Sequence, residues 1–289
     1  MITLENSDLR VTIKETGAEM TSLLDKKRSR QCLWTGDPAF WGRQAPTLFP
    51  IVGRCKNNAY RYRGKTYSMG QHGFVRDAVF QVEKQSDTHV SLVYRSNEET
   101  LAVYPFAFTL RIQYDLFDDL VATEYQVVND SEEEPLYFSI GGHPGFLLDG
   151  ALNDQLLCFS ERETLDRVLL APSGQFSRQV EPAYIKEGKP LQLHDGIFEN
   201  DALVFHNFRS RTLRLVSSKS GLGVEMNLEG FPYVGIWSVN RPGAPFVCIE
   251  PWFGLADYED FEGELPQKDG ILKIEPWEVF HHSFTVRPL

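Results

Sequence analysis

The chain has 289 residues, 42% of them hydrophobic and 24% charged, a balance that excludes a largely disordered protein and suits a soluble globular one. Its 40 acidic residues outnumber 29 Lys and Arg, and the formal net charge of -11 argues against nucleic acid or an anionic membrane as partner and for a small neutral molecule. No apolar run approaches the roughly 18 residues of a bilayer span, and the cysteines, Cys32, Cys55, Cys158 and Cys248, form no C-x-x-C pair and read as reduced thiols.

The opening segment MITLENSDLRVTIKETG runs directly into alternating apolar and polar residues, without the basic flank and apolar core of a secretory signal, so a cytoplasmic location is expected. Alternation marks half-buried strands at LRVTIKE (9–15), HVSLVYR (89–95), FTLRIQYDLF (108–117), TLRLVSS (212–218), GVEMNLEG (223–230) and VFHHSFTV (279–286). YRYRGKTYSM (60–69) sets a glycine between two aromatic-rich arms and is predicted as a hairpin, and VVNDSEEEPLYF (127–138) supplies turn residues between two strands. SNEETLAVYPF (96–106) and SERETLDRV (160–168) could each hold a turn or two of helix, but neither sustains an apolar stripe over several turns. Strand signals continue from Leu9 to Val286 with no linker or repeat. The expected fold is therefore mostly β, one domain over 1–289, in which two packed antiparallel sheets leave a ligand-sized hollow; a barrel or propeller would use the same signals.

Four stretches depart from ordinary strands: APTLFPIVGR (45–54), GQHGFVRD (70–77), SIGGHPGF (139–146) and FVCIEPWFGLAD (246–257). Each joins glycine or proline to a potential acid, base or cation. In SIGGHPGF the proline cannot donate to a ladder, so a strand is predicted to break at His143, and the glycines leave room for a ligand to approach; a structural histidine in a tight turn is the other reading. His72 between two glycines, with Arg76 behind it, reads equally as a ligand loop or as an ordinary loop with a solvated arginine. Glu250 ends an apolar strand beside Trp252, where desolvation would raise its pKa and make it a useful base near neutral pH; a plain strand-end charge is the alternative. Trp252 itself could fill core or stack on a sugar, Arg54 could fork onto hydroxyls or form a surface ion pair, and Asp201 could hold a hydroxyl or cap a turn. His281 and His282 are adjacent in a strand, point to opposite faces and cannot both enter one site. His89, His194 and His206 lack the glycine context and read as structural or exposed. No H-E-x-x-H, calcium-loop, G-x-S-x-G or G-K-[ST] pattern supports metal, serine-hydrolase or nucleotide chemistry.

Together and in this order, FPIVGR, HGFVRD, GGHPGF and IEPWFG resemble the aldose 1-epimerase (galactose mutarotase) family, its LacX-like branch in particular, over most of the chain. The resemblance implies a large β-sandwich of galactose mutarotase type and interconversion of the α- and β-anomers of a small-molecule aldose without metal or cofactor, by a monomer or homodimer. It assigns Glu250 as the base on the anomeric hydroxyl, His143 as the acid on the ring oxygen and His72 as its helper. Arg54, Asp201, Arg76 and Trp252 are then substrate-binding. Opening a hemiacetal requires one proton removed and one delivered over a short distance, and a carboxylate with an imidazolium meets that need. GGHPGF replaces the asparagine-rich context of the better characterised galactose mutarotases, which leaves the sugar open. HGF-x-R also resembles the hexose-6-phosphate mutarotase branch, to which Arg43, Arg54 and Arg76 would offer phosphate contacts, although WGRQAP does not align with that branch around Arg43. A non-catalytic carbohydrate-binding protein on the same fold and a glycosidase using Glu250 with Asp201 are the alternatives from other classes.

Overall fold

The computed structural model describes residues 1–289. Each alternating segment named above forms a strand, and the ladders that connect them are antiparallel throughout. Phe108–Phe117 and Leu120–Asn129 form the longest ladder, joined through Asp118 at φ 45°, and every second side chain of each is buried. In YRYRGKTYSM the predicted hairpin forms from Ala59–Tyr62 and Lys65–Ser68. Its two turn residues, Arg63 and Gly64, take φ of 50° and 72°, the left-handed pair that matches the strand twist.

A nine-stranded sheet runs from Leu191–Gln192 through Gln155–Phe159, Thr212–Ser217, Gly223–Asn227, Val279–Pro288, Leu120–Asn129, Phe108–Phe117 and His89–Arg95 to Gln81–Gln85. The eight-stranded sheet runs from Phe176–Ile185 through Leu165–Leu170, Leu203–His206, Tyr233–Trp237, Phe246–Phe253 and Ile140–Gly142 to Thr47–Leu48, with Gly145–Leu147 also paired to Phe246–Phe253. Leu110, Ile112, Val127 and Leu213 of the first sheet share one apolar cluster with Leu203, Phe205, Ile236 and Ile249 of the second, so the two pack face to face as a sandwich. Burying each such side chain contributes about 1.5–3 kcal/mol, which makes this interface the main source of stability. A four-stranded sheet of residues 2–31 adds to the same cluster through Leu4, Val11, Ile13 and Leu23.

The far face of the eight-stranded sheet positions the site. Along Phe246–Phe253, Val247 and Ile249 join the main core, while Cys248 and Trp252 join two smaller clusters on the opposite side. Covered on both faces, this strand is buried from Phe246 to Trp252 and reads as a continuous apolar run interrupted by Glu250.

One predicted helical segment is absent. SNEETLAVYPF yields the α-helix Glu98–Val103, capped by Asn97 and Thr100, whereas SERETLDRV forms bends followed by the strand Leu165–Leu170. Pairing with Phe176–Ile185 on one side and Leu203–His206 on the other supplies those residues with ladder partners that a one-turn helix would lack. No helix is long and apolar enough to cross a membrane.

Candidate active site

Strand register brings His143 and Glu250 together. Ile140 and Gly141 pair with Phe253 and Trp252, and Gly145, Phe146 and Leu147 pair with Cys248, Val247 and Phe246. The ladder breaks between them, where Pro144 has no N–H to donate, yet resumes in the same register, so His143 stands directly opposite Glu250. His143 Nε2 lies 3.1 Å from Glu250 Oε2. The His143 N–H donates to Pro46 O at 3.0 Å instead, while one cross-strand bond survives, from the Ile249 N–H to Pro144 O at 3.2 Å. The predicted strand break is therefore real, but the glycines beside it serve packing rather than ligand approach. A Cβ on Gly141 would sit 2.6 Å from Cδ1 of Trp252, and one on Gly142 would sit 2.9 Å from the Tyr125 hydroxyl.

A cavity of about 530 Å³ opens over this pair. Glu250 and His143 line it together with His72, Arg76, Asp201 and Trp252, so six of the seven predicted site residues converge. Gly141 and Gly235 make a slot for Trp252, since a Cβ on Gly235 would sit 2.5 Å from Cη2 of the indole. Arg54 is the exception. It stands behind the wall, where its guanidinium donates to Gln71 Oε1 at 3.1 Å and its Nε lies 3.8 Å from the Cβ position of Gly174. Both of those neighbours line the cavity.

His72 is held by a reciprocal pair of bonds. Its N–H donates to Gly53 O at 2.7 Å, and the Gly53 N–H donates to His72 Nδ1 at 3.1 Å. Because Nδ1 accepts, a neutral ring carries its proton on Nε2. The ring adopts this placement at a backbone φ of 64°, a conformation costly for any residue but glycine. Asp201, at φ 70°, sits at the exposed rim, and its Oδ1 takes the Ala202 N–H at 2.8 Å. Arg76 donates to Gln71 O at 2.8 Å, and Arg43, outside the cavity, pairs with Asp77 at 2.9 Å.

Burial dominates the electrostatics. Glu250 is 1% exposed and its carboxyl is pushed well above the ordinary 4.5, by desolvation first and then by the negative charge of Asp201. The Trp252 indole N–H acts the other way without closing a full hydrogen bond. Burial lowers His143 to about 3, and the positive charges of Arg76 and Arg43 push it the same way. His72 is likewise held well below 6.5 by burial, then by His143 and by Arg76, Arg43 and Arg54. Burial thus favours a protonated carboxyl beside a neutral imidazole. His143, Cys248 and Glu250 each bring one ligand atom within 4.8 Å of the others. Burial raises the Cys248 thiol as well as Glu250.

Two aromatic residues that sequence reasoning missed complete the site. The Trp41 ring lies 4.9 Å from the His143 ring at a 31° tilt, and Trp237 meets the same imidazole edge-on at 5.6 Å. Trp41 belongs to WGRQAP, where only its neighbour Arg43 drew attention, and the signal that could have found it was a bulky aromatic in a Pro- and Gly-rich loop. Trp237 ends a strand that reads as plain core. The other histidines lie elsewhere: His89 pairs with Asp115 at 2.7 Å, and His282 packs on Phe231 and Phe253.

Comparison with known proteins agrees with the motifs. The aldose 1-epimerase family model matches residues 1–265. The chromosomal protein LacX of Lactococcus lactis subsp. lactis is 33% identical over 295 residues, covering 99% of this chain and 98% of that protein. A galactose mutarotase related enzyme from Lactobacillus acidophilus superposes with a TM-score of 0.93 at 35% identity, covering 100% of this chain and 97% of that one. A galactose mutarotase-like protein from Lactobacillus casei does so at 0.94 and 33% identity over the full length of both chains. With its motifs, its sandwich and its full-length relatives in agreement, the chain belongs to the aldose 1-epimerase family and to the LacX-like branch within it.

Proposed function

We propose that this protein is a mutarotase that interconverts the α- and β-anomers of a free aldose, with Glu250 as base and His143 as acid. The observation that carries the reading is the 3.1 Å approach of His143 Nε2 and Glu250 Oε2 at the floor of an aromatic cavity. The ring oxygen and the O1 hydroxyl of a cyclic sugar are bonded to the same carbon, so two acid–base atoms this close can address both oxygens at once.

In the reactive form the proton of the pair sits on Nε2 and the carboxyl is ionised. Glu250 takes the O1 proton as the C1–ring oxygen bond breaks, and Nε2–H delivers its proton to the departing ring oxygen. The pair ends as carboxylic acid and neutral imidazole, the form that burial favours. Rotation about C1–C2 exposes the other carbonyl face, and the same two transfers reversed close the ring as the opposite anomer. Each positioned transfer is worth about 10²–10⁴ in rate. His72, with its Nδ1 occupied by Gly53, is left with Nε2, 3.3 Å from the Gln71 side-chain amide, as its donor to the sugar. Trp41, Trp237 and Trp252 give apolar faces for its C–H surfaces, and Asp201 accepts a hydroxyl at the rim.

A second reading, a 6-phosphorylated aldose, draws support from Arg76 in the cavity wall with Arg43 and Arg54 behind it. The Nε atoms of Arg54 and Arg76 are buried without hydrogen-bond partners. Polarimetry tests both readings. A freshly dissolved pure anomer of glucose, galactose or a hexose 6-phosphate is expected to equilibrate faster with protein than in buffer. Sugar binding without acceleration would instead mark a carbohydrate-binding protein, and release of a chromogenic aglycone a glycosidase.

A further inference from the structure

Away from the reacting atoms, one buried ion pair has no evident part in the chemistry. Lys268 Nζ lies 2.6 Å from Asp257 Oδ1, and the two side chains are 2% and 3% exposed. Desolvating two charges costs several kcal/mol per ion and is offset only by close geometry and further hydrogen bonds. Replacing such a pair by apolar groups is often neutral or stabilising, so stability alone explains it poorly.

The partners of Asp257 supply another explanation. Its Oδ2 accepts the Lys56 N–H at 2.7 Å, its own N–H donates to Arg54 O at 2.9 Å, and its carbonyl accepts the Phe176 N–H at 2.9 Å. Residues 53–56, 174–176 and 254–257, which are distant in sequence, therefore meet at one residue, whose carboxylate holds Lys56 and Lys268 and whose main chain holds Arg54 and Phe176. From these segments Gly53, Gly174, Phe176 and Ala256 line the cavity. The fit is tight, for a Cβ on Gly53 would lie 2.6 Å from that of Ala256. Gly53 is also the residue that fixes both the main chain and Nδ1 of His72.

We infer that the Asp257–Lys268 ion pair is a positioning device for the substrate site, holding the His72 wall and the Phe176 wall at the spacing the sugar requires. Neither residue lines the cavity, and both act through the walls that hold the sugar, so their effect falls on binding more than on proton transfer. The inference rests on the sugar-binding reading of this cavity.

The test is Lys268→Met, which keeps the length and removes the charge, assayed at a temperature where circular dichroism shows it fully folded. KM for the anomer substrate is expected to rise about tenfold with kcat within about twofold, the signature of lost uniform binding. The ring resonance of His72 is expected to shift, and Lys268→Arg to restore most of the affinity. Asp257→Asn retains a side-chain acceptor for the Lys56 N–H and all main-chain partners, and the same outcome is expected from it should Lys268→Met not fold. Folded variants with parental KM and an unmoved His72 resonance would overturn the inference. The His72 resonance needs no turnover, so it still decides the matter if the parent protein proves unable to accelerate anomerisation.

Discussion

Glu250 and His143 face each other across a ladder that breaks for three residues and resumes without slipping. A slip of one residue would turn Glu250 into the sandwich core and put Ile249 in its place. The chemistry proposed for this protein is therefore tied to the register of one strand pair.

Glu250→Gln keeps the shape of the side chain and removes its ability to take a proton. Mutarotation followed by polarimetry is expected to fall by about 10²–10⁴, while sugar affinity, read from the fluorescence of Trp41, Trp237 and Trp252, stays within a few-fold. Parental activity in this variant would remove Glu250 from the reaction.

The same two residues shape the dependence of stability on pH. Folded Glu250 keeps a proton that the unfolded carboxyl loses above pH 4.5, and folded His143 refuses one that the unfolded imidazole takes below pH 6.5, so the two contributions oppose each other between those values. Below pH 4.5 the unfolded carboxyl takes a second proton that folded His143 refuses down to about pH 3, and stability falls on acidification. The raised Glu250 carries the opposite sign, because as pH rises from 4.5 toward its folded value the folded protein holds a proton that the unfolded carboxyl has lost, and that group's contribution falls with rising pH. Chemical denaturation across pH is expected to show the fall below pH 4.5 for the parent and a much weaker one for the Glu250→Gln, His143→Gln double variant.

Arg76 separates the two substrate readings. A charge-assisted hydrogen bond to a buried group is worth roughly 1.5–3 kcal/mol, so Arg76→Ala is expected to raise KM for a hexose 6-phosphate by about 10- to 100-fold and to disturb a free aldose far less. Equal effects on both would mean that Arg76 touches no phosphate.

Trp252 depends on the bare glycine beneath it. Gly235→Ala places a methyl 2.5 Å from the indole, and overpacking of this kind typically costs about 1–3 kcal/mol. A lower thermal midpoint together with weaker sugar binding is the expected pair of results. Loss of stability with unchanged affinity would show that Trp252 supports the fold without contributing to the cavity.

What the sequence determined by itself was local. Alternation with period two placed the strands, because side chains on a pleated chain point to opposite faces, and FTLRIQYDLF became Phe108–Phe117 without a residue's difference. The unusual glycine and proline stretches marked His72, His143 and Glu250 as candidates, because each interrupts a regular pattern. The short segment SERETLDRV went astray since nine residues carry too little periodicity to choose between a turn of helix and a strand, and its neighbours in the sheet decided. Only the tertiary structure could settle pairing. That His143 faces Glu250 follows from register between segments more than a hundred residues apart. That Arg54 stands behind the wall, that Trp41 covers the imidazole and that Gly141 and Gly142 make room for Trp252 and Tyr125 are consequences of close packing between segments distant in the chain, which no single strand encodes.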